Sequence, residues 1–387
     1  MRIMHISTRL ILGGSQENTI LSCEGQADDG HTLSLVFGPI YGPEGSLLDR
    51  AQSHGGIECI ETPNLVRELA PLKDYRGYHD LRRLIRDWQP DVVHTHSSKA
   101  GILGRLAAWA EQVPAVVHTI HGLAFHPYQA RWRNAVYILA ERFAAKRCHR
   151  IVCVGDAMRD QALAAGIGKP GQFVTVYSGM EIEPFLNPRI TRDAIRAELG
   201  LHQNDFVLGT ISRLAELKGH DDLLDALGPV MRDEPHLKLL WVGDGWWRDR
   251  LLKRVADMNL ADRVITTGLV PPDDIPRYLQ AMDVLAHPSY REGLPRAVTQ
   301  ALLSALPAIA YDVDGAKEVC ITGETGRLIA PGDRAALADA VQWMMRNPDE
   351  RRAMGRRGRE RCRQPFAAGN MVRQLEAIYE DILHQPR

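Results

Sequence analysis

The feature that most constrains this chain is a repeated alternation of short Val/Ile-rich runs with longer amphipathic stretches. Asp91-Val92-Val93-His94, Ala115-Val116-Val117-His118, Arg150-Ile151-Val152-Cys153-Val154 and Phe173-Val174-Thr175-Val176 are runs of this kind, following a first strand at Arg2-Ile3-Met4-His5-Ile6-Ser7. Strands with little internal alternation, separated by helices, predict a parallel sheet covered on both faces. The pattern breaks between Tyr177 and Pro188, where Gly179, Pro184 and Pro188 suggest a linker. A second series then runs through Phe206–Ile211, Leu237–Val242, Val264–Thr266, Val284–Ala286, Ala308–Ala310 and Arg327–Ile329. At 387 residues the chain is long for one core and suits two α/β domains. The expectation is two Rossmann-like, doubly wound domains facing a cleft, at 1–177 and 189–365, joined by a linker at 178–188. In such sheets ligands sit beyond the carboxyl ends of the strands.

Composition narrows the function classes. A formal net charge of −1 gives no basic domain for nucleic acid. The six cysteines are scattered without a Cys-x-x-Cys pair, as in a cytosolic protein with reduced thiols. The first strand begins at Arg2, leaving no room for a signal peptide, and no apolar run approaches the roughly 18 residues of a membrane span. A cytoplasmic location is therefore expected.

The chemistry-bearing residues lie at predicted strand ends. Arg291-Glu292-Gly293-Leu294-Pro295-Arg296 follows the strand ending near His287 and leads into a helix, with Pro295 in its first turn. N–H groups near Gly293 and Leu294 suit phosphate or sugar oxygens, Glu292 suits sugar hydroxyls, and Gln300 lies about two turns further along. Ile211-Ser212-Arg213 to Lys218-Gly219 brings two cations, a planar fork and a point charge, within reach of a diphosphate. Fixed cations aimed at a departing diphosphate stabilise the transition state more than the ground state. Gly243-Asp244-Gly245 is a strand-end turn that lets backbone approach a ligand. In the first series, Gly13-Gly14 opens a helix without the third glycine of a dinucleotide fingerprint. His121-Gly122 sets an imidazole at the edge of the sheet.

These pieces, in this order and over essentially the whole chain, resemble the retaining glycosyltransferases of family 4, which have the GT-B fold. The resemblance implies that Arg213 and Lys218 hold the donor diphosphate, that Glu292 contacts the transferred sugar and that His121 sits near it. It further implies that Gly13 and Gly14 approach the phosphates from the other domain, with backbone at Leu269 and Val270 cradling the base. The family's second glutamate falls at Gln300 here, where an amide carbonyl still accepts from ribose hydroxyls. The segment from His94 to Arg105 looks like members that build cell-surface polysaccharide or lipid-linked oligosaccharide. A nucleotide-sugar donor, UDP-linked by default, and a glycan or lipid-linked acceptor are the implied partners. The C-terminal stretch 366–387 is expected to pack back on the first domain.

No cofactor is expected, and no metal. Asp312-Val313-Asp314 resembles a manganese motif of a different fold, and His94-x-His96 lacks an obvious third ligand. Between 126 and 150, Arg131, Arg133, Arg142, Lys146, Arg147 and Arg150 face one acid, Glu141, with Trp132, Tyr137 and Phe143 interleaved. Such a surface suits contact with anionic lipid at the inner face of a membrane. Two rival readings fit the same architecture: a sugar-nucleotide epimerase, and a catalytically silent nucleotide-sugar-binding relative suggested by Gln300.

Overall fold

The computed structural model describes residues 1–41 and 45–385. They fall into two compact units, Met1–Met180 with the C-terminal segment from Phe366, and Glu181–Pro365. The first carries β1 (Arg2–Ser7), β2 (Thr32–Phe37), β3 (Ile57–Glu61), β4 (Val92–His96), β5 (Ala115–Ile120), β6 (Arg150–Cys153) and β7 (Phe173–Thr175). These strands form one sheet in the order β3-β2-β1-β4-β5-β6-β7. The second unit carries β8 (Phe206–Ile211), β9 (Leu237–Val242), β10 (Val264–Thr266), β11 (Val284–His287), β12 (Ala308–Tyr311) and β13 (Gly326–Ile329), ordered β10-β9-β8-β11-β12-β13. Every strand pairing in both sheets is parallel. The doubly wound expectation holds in each unit.

The Val/Ile runs are strands because they have no solvent face. All residues of β4 and β5 are buried. One face of the first sheet packs Met4, Ile6, Val93 and Val116 against Leu81 of the helix Pro71–Trp88 and Ala107 of the helix Ser98–Ala110. The other packs Ile3, Leu35, Val92 and Val117 against the helices Gly14–Asp28 and Ala368–His384. This C-terminal helix buries Met371, Val372, Leu375, Ile378, Tyr379 and Ile382, one stripe at helical spacing. At roughly 1.5–3 kcal/mol for each large apolar side chain, that stripe binds the chain's end firmly to the first sheet.

The stretch 178–188 is less open than its Gly and Pro content suggests. It contains a short helix at Glu183–Leu186, and the second unit begins at Glu181. Asp283, at the foot of β11, ties the unit's first helices to its sheet. Its carboxylate accepts from Arg192 and Arg196 at 2.8 Å each and from the Val207 N–H at 2.9 Å.

Strand order reverses direction between β1 and β4 in the first sheet and between β8 and β11 in the second. These are the switch points at which doubly wound sheets hold ligands. All six cysteines are free thiols, five of them buried. Among the described residues no helix is long and apolar enough to cross a membrane.

Candidate active site

At the β8/β11 switch point, two loops are laced together before any side chain is considered. Gly219, with φ 73°, precedes the helix His220–Asp233, and a Cβ there would lie 2.0 Å from the Pro288 carbonyl oxygen. The Tyr290 N–H donates to the Leu217 carbonyl at 2.8 Å, and Leu217 itself takes φ 61° to present it. This close approach aims two side chains at each other. Lys218 Nζ donates to Glu292 Oε1 at 2.7 Å and reaches Ser289 Oγ at 3.4 Å, while His287 Nε2 lies 3.0 Å from the same Oε1. A third loop braces the carboxylate's backbone. Asp314, at φ 47°, accepts the Glu292 N–H at 2.8 Å, and the Gly315 N–H donates to the Gly293 carbonyl at 3.2 Å. Burial opposes ionisation of Glu292, but the charges and hydrogen bonds of Lys218 and His287 outweigh it and hold the carboxyl far below the usual range. The product is a fixed, half-buried ion pair at the carboxyl edge of the sheet.

The other predicted residues of this unit lie on the loops that follow β8, β9, β10 and β11 or on the helix Arg296–Leu303. Arg213 stands exposed two residues beyond β8, and among the described residues it has no hydrogen-bonding or ionic partner. It is a cation with free reach. Gly243, at φ 132°, donates its N–H to the Gly268 carbonyl at 3.1 Å, which joins the Gly243-Asp244-Gly245 turn to the loop carrying Leu269 and Val270. Asp244 accepts the Gly245 N–H at 2.7 Å. Leu269 and Trp246 are exposed apolar groups on these two loops. Pro295 lies just before the helix Arg296–Leu303 rather than in its first turn, so Glu292, Gly293 and Leu294 belong to the loop. Gln300 is buried within that helix, not displayed at its start.

In the first unit, Gly13 caps the helix Gly14–Asp28 and His121 follows β5, so both lie at that sheet's carboxyl edge. One sequence reading needs correction. His94 and His96 have a third histidine close by, because β1 pairs with β4 in the register His5↔His94. Ring nitrogens of His5, His94 and His96 lie within 4.8 Å of one another, and all three residues are buried. They are nonetheless engaged as hydrogen-bonding groups. His5 meets Gln26 and His96, His94 meets Tyr379 and Thr119, and His96 meets His121 at 3.1 Å. Burial pushes His5 down to about 4, against the Gln26 hydrogen bond, and drives His94 and His96 well below their ordinary value. His287, Ser289, Asp314, His5 and Gln26 were all missed as site-forming residues. For His287 the signal was available, since it ends β11 at the edge where Glu292 follows.

Comparison with known proteins fits this geometry. Residues 13–179 match the family description "Glycosyl transferase 4-like domain", and residues 191–361 match "Glycosyl transferases group 1". The chain is 31% identical over 319 residues to an Escherichia coli UDP-Gal:alpha-D-GlcNAc-diphosphoundecaprenol alpha-1,3-galactosyltransferase, covering 81% of this chain and 80% of the relative. The chain belongs to the family 4-like GT-B glycosyltransferases. The two matches divide this glycosyltransferase as its sheets do, one to each unit. The Staphylococcus aureus capsular polysaccharide biosynthesis glycosyltransferase CapM is 22% identical, over 86% of this chain and 90% of its own length. The crystal structure of Anabaena Alr3699/HepE with UDP-glucose shares the fold at a TM-score of 0.84 and 20% identity, covering 98% of this chain and 100% of that one. As a glycosyltransferase, the protein transfers a sugar from a nucleotide-sugar donor.

Proposed function

We propose that this glycosyltransferase takes its sugar, a hexose or an N-acetylhexosamine, from a UDP-linked donor. It transfers that sugar with retention to a lipid-linked glycan acceptor in cell-surface polysaccharide assembly. The single observation that carries the donor side is the Lys218–Glu292 pair at the β8/β11 switch point, with Arg213 exposed on the same loop. Lys218 and Arg213 receive the diphosphate and stabilise it as the glycosidic bond breaks. Glu292 then exchanges its lysine partner for hydroxyls of the sugar. Gly293 and Leu294 offer backbone N–H groups, and the joined turns at Gly243–Gly245 and Leu269–Val270 take the nucleoside. Exposed Leu269 supplies apolar surface for a base. Gln300 serves the ribose. In the first unit, Gly13 and Gly14 serve the phosphates and His121 the sugar. Fixed cations neutralise the diphosphate, so no metal is needed.

The acceptor reading draws on the E. coli relative, whose name gives a UDP-sugar and a diphosphoundecaprenol acceptor. It also draws on the helix Arg131–Ala145, where Trp132, Val136, Leu139 and Phe143 form an exposed apolar stripe at helical spacing. The stretch's only acid, Glu141, is withdrawn into a buried pair with Arg105 at 2.6 Å. What remains outside is basic and apolar, suited to anionic lipid headgroups at the inner face of a membrane.

A thermal-shift panel of UDP- and GDP-sugars tests the donor, because a ligand held only by the folded form raises the melting temperature. UDP-sugars should stabilise and GDP-sugars should not; the reverse order overturns the UDP assignment. The anomeric proton coupling of the isolated product then tests retention. Donor converted to its epimer without any glycosylated product would favour an epimerase instead.

A further inference from the structure

A row of imidazoles crosses the interior of the first unit and ends at His121, just beyond β5. It exists because of strand periodicity. Side chains two apart share a face, so His94 and His96 of β4 lie on the face packed by the helices Gly14–Asp28 and Ala368–His384. The parallel register sets His5 beside His94 and Thr119 beside His96. His121 continues the same face two residues beyond Thr119. Polar side chains in that position cost stability unless hydrogen-bonded, and each of these residues has at least one hydrogen-bond partner.

The pairs form a chain with a direction. Gln26 lies fully buried with its amide nitrogen 3.3 Å from the Tyr379 hydroxyl, which leaves its carbonyl Oε1 facing His5 Nε2 at 2.8 Å. A carbonyl only accepts, so His5 carries its proton on Nε2 and offers Nδ1 as an acceptor. His5 Nδ1 is 2.9 Å from His96 Nε2, so His96 must donate from Nε2 and accept at Nδ1. His96 Nδ1 is 3.1 Å from His121 Nε2, so His121 in turn donates from Nε2. Neutral imidazoles are required throughout, and burial keeps His5 and His96 neutral. Tyr379 closes the other side of the network by donating its O–H to His94 Nδ1 at 2.5 Å, and His94 Nε2 donates to Thr119 Oγ1 at 2.7 Å.

We propose that Gln26, His5 and His96 are positioning residues that fix His121 in the Nε2–H tautomer and lock its ring plane at the carboxyl edge of the sheet. The proposal rests on the reading of His121 as a sugar-contacting residue, and it adds the device that sets its chemistry. His121 in this state holds its one proton on the nitrogen that faces His96. Reversing one amide in the core would reverse every donor in the row and turn His121 into a donor at Nδ1.

Long-range 15N–1H spectra of ring-labelled protein, with the His121 signals assigned by a His121→Gln spectrum, read the tautomer directly. Wild-type His121 should show the Nε2–H pattern, and Gln26→Leu should leave it as a mixture of tautomers. The same variant should lose about tenfold in kcat with little change in donor KM, the size of loss typical when a partner that orients an active imidazole is removed. Gln26→Glu keeps an acceptor facing His5 and should keep the tautomer, which guards against a leucine variant that fails to fold. An Nδ1–H pattern in the wild type, or an unchanged tautomer in folded Gln26→Leu, overturns the proposal. One equivalent of Zn2+ shifting the His5, His94 and His96 signals together would overturn it too, by making the row a metal site. If His121→Ala retains full turnover while the tautomer results hold, the failure lies in the sugar-contact reading and not in the hydrogen-bond row.

Discussion

At the scale of single residues, Lys218 and Glu292 are held together at 2.7 Å, and the proposed transfer requires them to part. The carboxylate Oε1 takes both Lys218 and His287, so removing its charge releases a cation that a diphosphate can use. Glu292→Gln should therefore leave UDP affinity unchanged or tighter while turnover falls about 10²-fold, the order seen when one charge-stabilising contact is lost. Calorimetric titration with UDP beside steady-state kinetics separates the two effects. A parallel collapse of UDP affinity would make Glu292 a strut for the loop rather than a sugar contact. Glu292 was legible as a candidate because it lies between the carboxyl end of a strand and the start of a helix, where doubly wound sheets hold ligands. Its partner His287 was passed over as merely the strand's last residue. His5 was illegible for another reason. Nothing in the spacing of one sequence says that β1 and β4, about ninety residues apart, become neighbours.

At the scale of elements, alternating runs made the two sheets readable, since a parallel strand buried on both faces needs an unbroken apolar sequence. Helix starts were less readable. Pro295 looked like a first-turn proline, yet the loop braced by Asp314 and Gly315 extends through it and delays the helix to Arg296. The helix Arg131–Ala145 shows what sequence and structure give together. The basic count was visible in the sequence, but the stripe of Trp132, Val136, Leu139 and Phe143, and the withdrawal of Glu141 into the Arg105 pair, needed the fold. Trp132→Ser with Leu139→Ser removes two exposed apolar groups and should reduce binding to vesicles of anionic phospholipid without lowering the melting temperature. Co-sedimentation with those vesicles measures it, and undiminished binding would remove this helix as the lipid contact.

At the scale of the whole molecule, the histidines set a direction for acid sensitivity. His5 in the first unit and His220 in the second are both pushed down to about 4, each chiefly by burial. A histidine whose folded pKa lies below its unfolded value near 6.5 takes up its proton in the unfolded chain first. Its stabilising effect is therefore present above pH 6.5 and is lost as pH falls toward 4, by about 3 kcal/mol for each group. Glu376 runs the other way. Burial and the nearby charges of Asp29 and Glu380 push its carboxyl up to about 7, so acid relieves a cost there. With His5, His94, His96, His118 and His220 all pushed down by burial against the one raised carboxyl of Glu376, the urea midpoint should fall between pH 7 and pH 4.5, and a flat midpoint would mean that these imidazoles titrate normally. The proposed transfer depends above all on a fixed cation at the β8/β11 edge to carry the departing diphosphate. The most direct measurement of that claim is kcat for UDP-sugar transfer by Lys218→Ala beside the wild type. A fall of about 10²–10³ in kcat with the fold intact is expected, and turnover near the wild-type rate would contradict the role given to Lys218.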